Sequence, residues 1–399
     1  MEKRLLRVLW LPADDGGCGH HRIRMFDEAF NRLKLADSTL LDPREDEKDV
    51  RAAIEYADVV VGRLNTTEYI RLIKQNWPNK VVVFDHDDNT LELKPTNPSY
   101  KDFGTEDVWV PMANVKETDF YKKASVAVKL KIEEKQAIPL WVTGITDGFN
   151  RYVNVQQHMN LLFDLAVCTL ATSPVQKLTE LWGMYASKVA VIPNCIDFRY
   201  YPDVEVKKKR EKGEIRIGWN GGSSHSADLK TIIPSIKRLK EKHKGLKLVI
   251  CGSYFPELFD SMKDIVEYHP WTKWEAAPFR MKLLDLDMGI IPLADDEHFN
   301  EYKSELKMIE FGALRIPMIV KDQLPYSPYI KKGENCLAYK TPEEFEKCVE
   351  LMIEKKNKQS IIDSAYEWVL NHRNIDKIAP DVVKVYKDLL PEKTQNLVV

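Results

Sequence analysis

The 399-residue sequence predicts an α/β protein built from two doubly wound halves joined by one linker. Three observations predict it. Short apolar runs alternate with segments of helical period from the start of the chain. The alternation gives way, after about residue 200, to a charged stretch with no apolar period. A fresh alternation begins at once beyond that stretch.

In order, Arg7 to Leu11 reads as a buried strand, followed by the glycine-rich loop Asp14-Asp15-Gly16-Gly17-Cys18-Gly19 and a helix from His20 to Leu33. Ser38 to Leu41, Asp58 to Val61 and Val81 to Phe84 give further strands, separated by helices around 50–56 and 67–75. From about 91 to 163 the pattern is irregular, with Pro and Asn turns, and reads as an elaboration of the first half. Regularity returns with a strand from Leu165 to Leu170, a helix from Ser173 to Tyr185 with Pro174 in its first turn, and a strand from Val189 to Ile192. Residues 201–214 are the expected linker, so that 1–200 form the first half and 215–374 the second.

The second half is expected to contain strands at Ile215–Trp219, Leu246–Cys251, Ile265–Tyr268, Leu286–Leu293 and Ile316–Val320. Helices are expected at Ala227–His243, at Trp274–Leu284 and over Phe299–Arg315. Helices from Pro342 to Glu354, Lys358 to Leu370 and Ile375 to Leu389 close the chain. In such open parallel sheets ligands bind at the carboxyl ends of strands, and both glycine-rich loops, Gly16–Gly19 and Gly221–Gly222, sit at such ends.

Composition narrows the class. Hydrophobic residues make up 44% and charged residues 30%, which describes a globular chain and excludes a disordered one. The formal net charge of −2 argues against a surface coated for nucleic acid, while leaving a local basic patch open. The six cysteines, at 18, 168, 195, 251, 336 and 348, have no C-x-x-C spacing and sit mostly in apolar surroundings. Reduced thiols in a cytoplasmic compartment are expected, with neither a disulfide framework nor a zinc site. No stretch approaches a transmembrane helix in length, and Arg7 and Pro12 interrupt the first apolar run too early for a secretory leader.

Four stretches carry chemistry. Across Phe299–Arg315, Tyr302, Leu306, Ile309 and Ala313 share a core face, while Asn300, Lys303, Lys307 and Glu310 form a second stripe. Lys303 early and Glu310 late invert the charge order that the helix dipole favours. A phosphate bound at the helix start would resolve the inversion, and a solvated Lys/Glu face is the alternative. Gly218 to Asp228 is a strand–glycine turn–helix junction in which Gly221, Gly222 and Ser223 let the backbone approach a ligand; a tight turn capped by Ser226 is the alternative. It matches neither a dinucleotide fingerprint nor a phosphate-loop motif.

Val81 to Asn89 packs Asp85, His86, Asp87 and Asp88 onto the end of a strand. These groups suit an acceptor hydroxyl or a turn cap, with Asp85 and Asp87 as weak candidates for a divalent metal. His20-His21-Arg22-Ile23-Arg24 lies where the first glycine loop meets its helix, so Gly17, Gly19, His21 and Arg22 are candidates on the acceptor side. Lys237 to Lys247 is a basic helix end whose cations complement the dipole; with Lys207–Arg210 it also leaves contact with DNA or with anionic lipid open.

Together these residues resemble the GT-B glycosyltransferases, most closely the retaining family 4 and its phage and bacterial members. The match is strongest over Ile290-Ile291-Pro292-Leu293, then Asn300, Lys303, Ser304, Leu306-Lys307, Glu310-Phe311-Gly312-Ala313 and Pro317. Supporting segments are Ile215 to Ser223 and Val191-Ile192-Pro193-Asn194-Cys195-Ile196-Asp197. The resemblance implies two Rossmann-like domains facing a cleft, the second binding a UDP- or GDP-sugar and the first an acceptor, with the last helix (375–399) returning to the first domain. It places Glu310 on the ribose, Lys303 and Lys307 on the diphosphate, and Gly221 to Ser223 beside it, with Asn300, Ser304 and His225 at the same site. No cofactor is required beyond the nucleotide sugar.

This chain departs from the pattern at four places. Tyr302 stands where the earlier of two Glu residues belongs, Asn220 and His225 replace an Arg and a Lys, and Cys195 replaces a Gly. A glycan, a lipid-linked sugar or a hydroxymethylated base of phage DNA would serve as acceptor, and peripheral membrane contact stays open. The alternatives are a binding protein with a degenerate donor site and a metal-dependent GT-A enzyme using Asp85 and Asp87.

Overall fold

The computed structural model describes the chain apart from residues 1–2, 13–15, 43–45, 65, 94–99, 105–108, 112–114, 117–118, 135–136, 140–147, 205, 207–209, 296–297, 355–357 and 399. Asp14, Asp15 and Lys207–Lys209, singled out above, lie outside the described residues.

In chain order the first strands are β1 (Leu6–Leu11), β2 (Ala36–Leu40), β3 (Val59–Gly62) and β4 (Val81–Asp85). A short antiparallel pair follows, β5 (Trp109–Pro111) with β6 (Ala137–Pro139). This pair belongs to a smaller compact unit, Asn89–Phe163 with Glu297–Phe299, in which Leu93, Tyr100 and Phe299 pack together. The stretch expected to be irregular falls within that unit.

Strands β7 (Leu170–Ser173) and β8 (Val189–Val191) complete a six-stranded parallel sheet of order β2-β1-β3-β4-β7-β8. Strands β9 (Ile215–Gly221), β10 (Leu246–Gly252), β11 (Val266–His269), β12 (Met288–Ile291), β13 (Met318–Lys321) and β14 (Leu337–Tyr339) form a second, of order β11-β10-β9-β12-β13-β14. Every pairing in both is parallel. Parallel sheets bury both faces, which is why β3 is apolar throughout and β4 is apolar up to its last residue, Asp85. Strand order reverses between β1 and β3 in the first sheet and between β9 and β12 in the second, the positions where such sheets bind ligands.

The last long helix, Ile375–Asp388, returns to the first sheet. Its Tyr386 meets Trp10 of β1 and Phe30 of the helix Met25–Arg32, and Ile375, Ala379, Val382 and Val383 join the same core. Beside this return, Ile196 pairs with Asn374 and its N–H donates to the Arg373 carbonyl at 2.7 Å.

Several boundaries move. Leu165, expected in a strand, lies in the last turn of the helix Gly148–Val167, and β7 starts only at Leu170; periodicity cannot separate a buried helix end from a strand in so short an apolar run. The expected helix Ala227–His243 is two pieces, Ser226–Lys230 and Ile233–Lys242, with Pro234 entering the first turn of the second. Strand β14 was not expected. It is three residues long and carries no alternation, so only its pairing with β13 identifies it.

Candidate functional site

At the carboxyl edge of the first sheet the backbone makes one π-helical turn, His20–Arg24, before the regular helix begins. The wider turn buries His20, His21 and Arg22 together. Arg22 is only 2% exposed and forks onto Asp85, Nε to Oδ1 at 3.0 Å and Nη2 to Oδ2 at 2.6 Å. Its Nη1 donates to the Ile192 carbonyl at 2.6 Å and to Asn194 Oδ1 at 3.1 Å, while Thr172 Oγ1 donates to Asp85 Oδ2 at 2.7 Å.

The expectation that Asp85 acts on a substrate or metal, and that Arg22 meets an acceptor, is therefore corrected. Each is consumed by the other inside the core. His86 is also buried, its ring beside Phe84 and Trp182, and burial lowers its pKa to about 4.

Asp87 and Asp88 face elsewhere. Arg63, which the sequence reading passed over, is 4% exposed and donates to Asp87 Oδ1 at 2.5 Å and to the Cys18 carbonyl at 2.9 Å. Burial is the largest influence on Asp87 and disfavours its charge, but Arg63, His86 and Arg22 acting together outweigh it and hold this carboxyl below the usual range. Asp88 moves the other way, pushed up by burial and by Asp87, against the attraction of Lys303 and Lys307. Among the described residues, Cys18, Asp87 and Asp88 each bring one ligand atom within 4.8 Å of the others, while Asp85, the other residue expected near a metal, is taken up by Arg22. Asp87 also pushes the Cys18 thiol well up, and a protonated thiol is a poor metal ligand.

The second sheet presents a different edge. Strand β9 ends in Asn220-Gly221, and Gly221 is a glycine because a Cβ there would stand 2.6 Å from the Trp219 ring. Gly252 closes β10 at φ +102°, where a Cβ would meet the Gly221 carbonyl at 2.4 Å. Beside them opens a cavity of about 790 Å³, walled on one side by Gly17, His20 and His21 and on the other by Asn220, Trp271 and Glu310. Asn220 Nδ2 donates to Glu310 Oε2 at 3.0 Å, and His21 Nε2 lies 3.7 Å from Glu310 Oε1. His20 stacks on Trp274 with ring centroids 3.6 Å apart, and burial lowers its pKa to about 2, so it is neutral. Trp271 and Trp274 were missed as site residues: Trp271 lies in a loop with no period, Trp274 sits in the turn before a helix that starts only at Ala277, and only the fold brings both to the cavity.

Lys303 and Lys307 converge beyond Gly222. Lys307 Nζ lies 2.8 Å from His225 Nε2, His225 Nδ1 lies 2.6 Å from Asp228 Oδ2, and Lys303 Nζ is 3.4 Å from the same oxygen. The other oxygen of Asp228 accepts the Ala294 N–H at 2.9 Å and Asn300 Nδ2 at 3.0 Å. Asn300, expected to meet a donor, is thus committed to Asp228 and is buried. Burial, then the two lysines, lower the His225 pKa to about 3; burial, then Lys303, lower Lys307 to about 8. Burial works against the Asp228 charge, yet Lys303 and His225 hold its pKa down. Asp228 also escaped the sequence reading, although its spacing from His225, three residues along a helical turn, was the available signal.

The helix itself begins later than expected. A 3-10 turn spans His298–Tyr302, the α-helix runs Leu306–Ala313, and Lys303 and Ser304 lie between them, Ser304 accepting from Asn194 at 2.7 Å. The residue at the helix start is Glu305, fully buried and bound by Arg373 Nε at 2.6 Å. A buried carboxylate, itself paired with Arg373, thus stands at this N-terminus, and the two lysines flank it. The five-residue helix after Ser223 is too short for much dipole. Tyr302 is buried with its ring 5.1 Å from Lys177, which also pairs with Glu301.

Among the described residues of the basic segments, five have carboxylate partners. Arg238 pairs with Glu346, Lys240 with Asp264, Lys242 and His243 with Glu350, and Arg210 with Asp285 and Asp287. Among the described residues, no helix is long and apolar enough to cross a membrane.

No protein-family model matches the sequence, and no curated protein matches it significantly. Solved structures do match. HepE of Anabaena in complex with UDP-glucose is 13% identical with a TM-score of 0.60, over 96% of this chain and 100% of that one. Sucrose-phosphate synthase of Thermosynechococcus elongatus is 11% identical with a TM-score of 0.60, over 96% and 99%. The catalytic domain of starch synthase IV from Arabidopsis thaliana, bound to ADP and acarbose, is 12% identical with a TM-score of 0.60, over 96% and 99%. The two parallel sheets and the returning helix are the GT-B fold, as the resemblance implied. That fold sets aside the GT-A alternative.

Proposed function

We propose that this protein is a glycosyltransferase that moves a sugar from a UDP- or GDP-sugar to an acceptor hydroxyl with retention, in the manner of family 4. The observation that carries the reading is the place of Glu310. It stands at the cavity wall, hydrogen-bonded by Asn220 and faced by His21, one helical turn from Lys307. A ribose takes a carboxylate partner by its hydroxyls, and a diphosphate three residues away takes the lysines. The fold is shared with HepE, which is solved with UDP-glucose.

On this reading residues 215–374 hold the donor and 1–200 the acceptor. Lys303 and Lys307, with the Gly222 and Ser223 backbone, meet charge that grows on the leaving diphosphate, so they stabilise the transition state more than the ground state. The departing phosphate takes the acceptor proton in a front-face displacement, and Asp88 is the carboxylate best placed to assist. The pairing of the basic segments favours a glycan or lipid-linked acceptor over DNA.

Incubation with a panel of UDP-, GDP- and ADP-sugars, followed by release of the nucleoside diphosphate, tests the reading. Release by wild type that falls roughly a hundredfold in Glu310→Ala is the expected result. Binding of a nucleotide sugar without turnover, under any acceptor tried, would favour the second reading of a binding protein, for which Tyr302 in place of a carboxylate is the motive.

A further inference from the structure

The lysine pair is held in an unusual way. Lys307 has an imidazole as its nearest polar partner, and that imidazole is neutral because it is buried between two ammonium groups. Had neutralisation been the purpose, a second carboxylate would serve better. A neutral imidazole orients an ammonium without cancelling its charge. Its own orientation is fixed from behind: His225 Nδ1 faces Asp228 Oδ2 at 2.6 Å, so the proton lies on Nδ1 and the Nε2 lone pair is left for Lys307.

Asp228 is 1% exposed and is anchored by the Ala294 N–H and Asn300, so it cannot turn away. We infer that Asp228 and His225 are positioning residues for Lys307: the carboxylate sets the imidazole, and the imidazole draws one ammonium N–H of Lys307 so that the other two point to a diphosphate. The inference rests on the proposed donor site for the identity of the anion. It goes beyond that site in recasting His225 from a ligand contact to the support of one, and in assigning a role to Asp228.

Calorimetric binding of inorganic pyrophosphate and of UDP to the full chain tests it, in wild type, His225→Phe and His225→Gln. The Phe variant keeps the ring volume and loses the acceptor, and both ligands should bind about tenfold more weakly. The Gln variant offers an amide oxygen to Lys307 and should recover most of that loss. A pH series gives the second readout. Lys307 is faced by Lys303 and Glu310 from its own segment, by His225 and Asp228 from the turn after β9, and by Asp88 from the first sheet. Affinity should fall as pH rises through about 8, and Asp228→Asn, which removes a negative charge, should move that fall to lower pH.

Equal pyrophosphate affinity in wild type and His225→Phe, or equal losses in the Phe and Gln variants, would overturn the inference and leave the glycosyltransferase reading standing. Pyrophosphate bound with the expected variant pattern, but with no gain for UDP, GDP or ADP over it, would remove that reading and leave the anion site. Binding of neither by wild type would remove both.

Discussion

The two six-stranded sheets finish differently at their carboxyl edges. At the first, Arg22 and Asp85 fork onto each other inside the core, and Arg63 ties Asp87 to the Cys18 loop. At the second, β9 ends in glycines, Asn220 holds Glu310 at a cavity wall, and two lysines gather on a neutral imidazole. Both edges are rich in charge. The difference is whether each charge is closed off by an opposite partner in fork geometry or, as for Lys307, has a neutral imidazole as its nearest polar group. A paired buried charge stabilises the fold against its own desolvation, whereas an oriented and incompletely cancelled one is available to a ligand.

The largest effect should come from breaking the first edge. Arg22→Met leaves Asp85 buried without its partner and should cost about 3–5 kcal/mol, read as a lowered urea midpoint, with the double change Arg22→Met and Asp85→Leu recovering most of it. A loss below about 1 kcal/mol, or lost transfer at unchanged stability, would move this pair from the core to the site. At the second edge, Glu310→Ala and Lys307→Ala should each lower transfer roughly a hundredfold, about 2.7 kcal/mol, with the urea midpoint little changed.

Asp164 sharpens the contrast on the first-sheet side. It is fully buried, Thr67 donates to it at 2.6 Å, and burial raises its pKa to about 7. Because the folded state holds this proton more tightly than the unfolded chain, stability should fall as pH rises from about 4 to about 7 and level off above. Asp164→Asn, which keeps an oxygen for Thr67, should gain roughly 2 kcal/mol at pH 8 and nothing near pH 4. An equal gain at both pH values would show that the carboxyl is ionised throughout.

Asp88 offers a smaller test between the edges. Burial and Asp87 push its pKa to about 6. If its charge assists the acceptor, transfer should decline about tenfold per unit below pH 6, and Asp88→Asn should abolish that slope. A slope that survives the substitution belongs to another group. The smallest effect expected is that of salt: transfer to a small glycan should change less than about twofold between roughly 50 and 200 mM, since Arg238, Lys240 and Lys242 are already paired. A steep fall would return DNA to consideration.

Much of this molecule is written locally. Unbroken valine runs, glycines after strands and helical periods are properties of neighbouring residues, so the two α/β halves and the order of their elements could be read in advance, whereas the return of the last helix followed only from the family resemblance. The stripe shared by Lys303, Lys307 and Glu310 could also be read, since three or four residues apart on one segment is a local relation. Some boundaries failed where the local signal was ambiguous, as at Leu165, or where three residues carried no period, as in β14.

What the tertiary structure alone decided is which charges cancel. Arg22 finds Asp85 63 positions away, Glu305 finds Arg373 68 away, and Asp228 collects Asn300 from 72 away. No spacing rule reaches across a parallel crossover, so Asp85 and Asp88, three residues apart, read alike in the sequence. The fold turns one into a sealed core pair and leaves the other facing the lysines, because burial and partner geometry decide whether a carboxylate serves stability or chemistry.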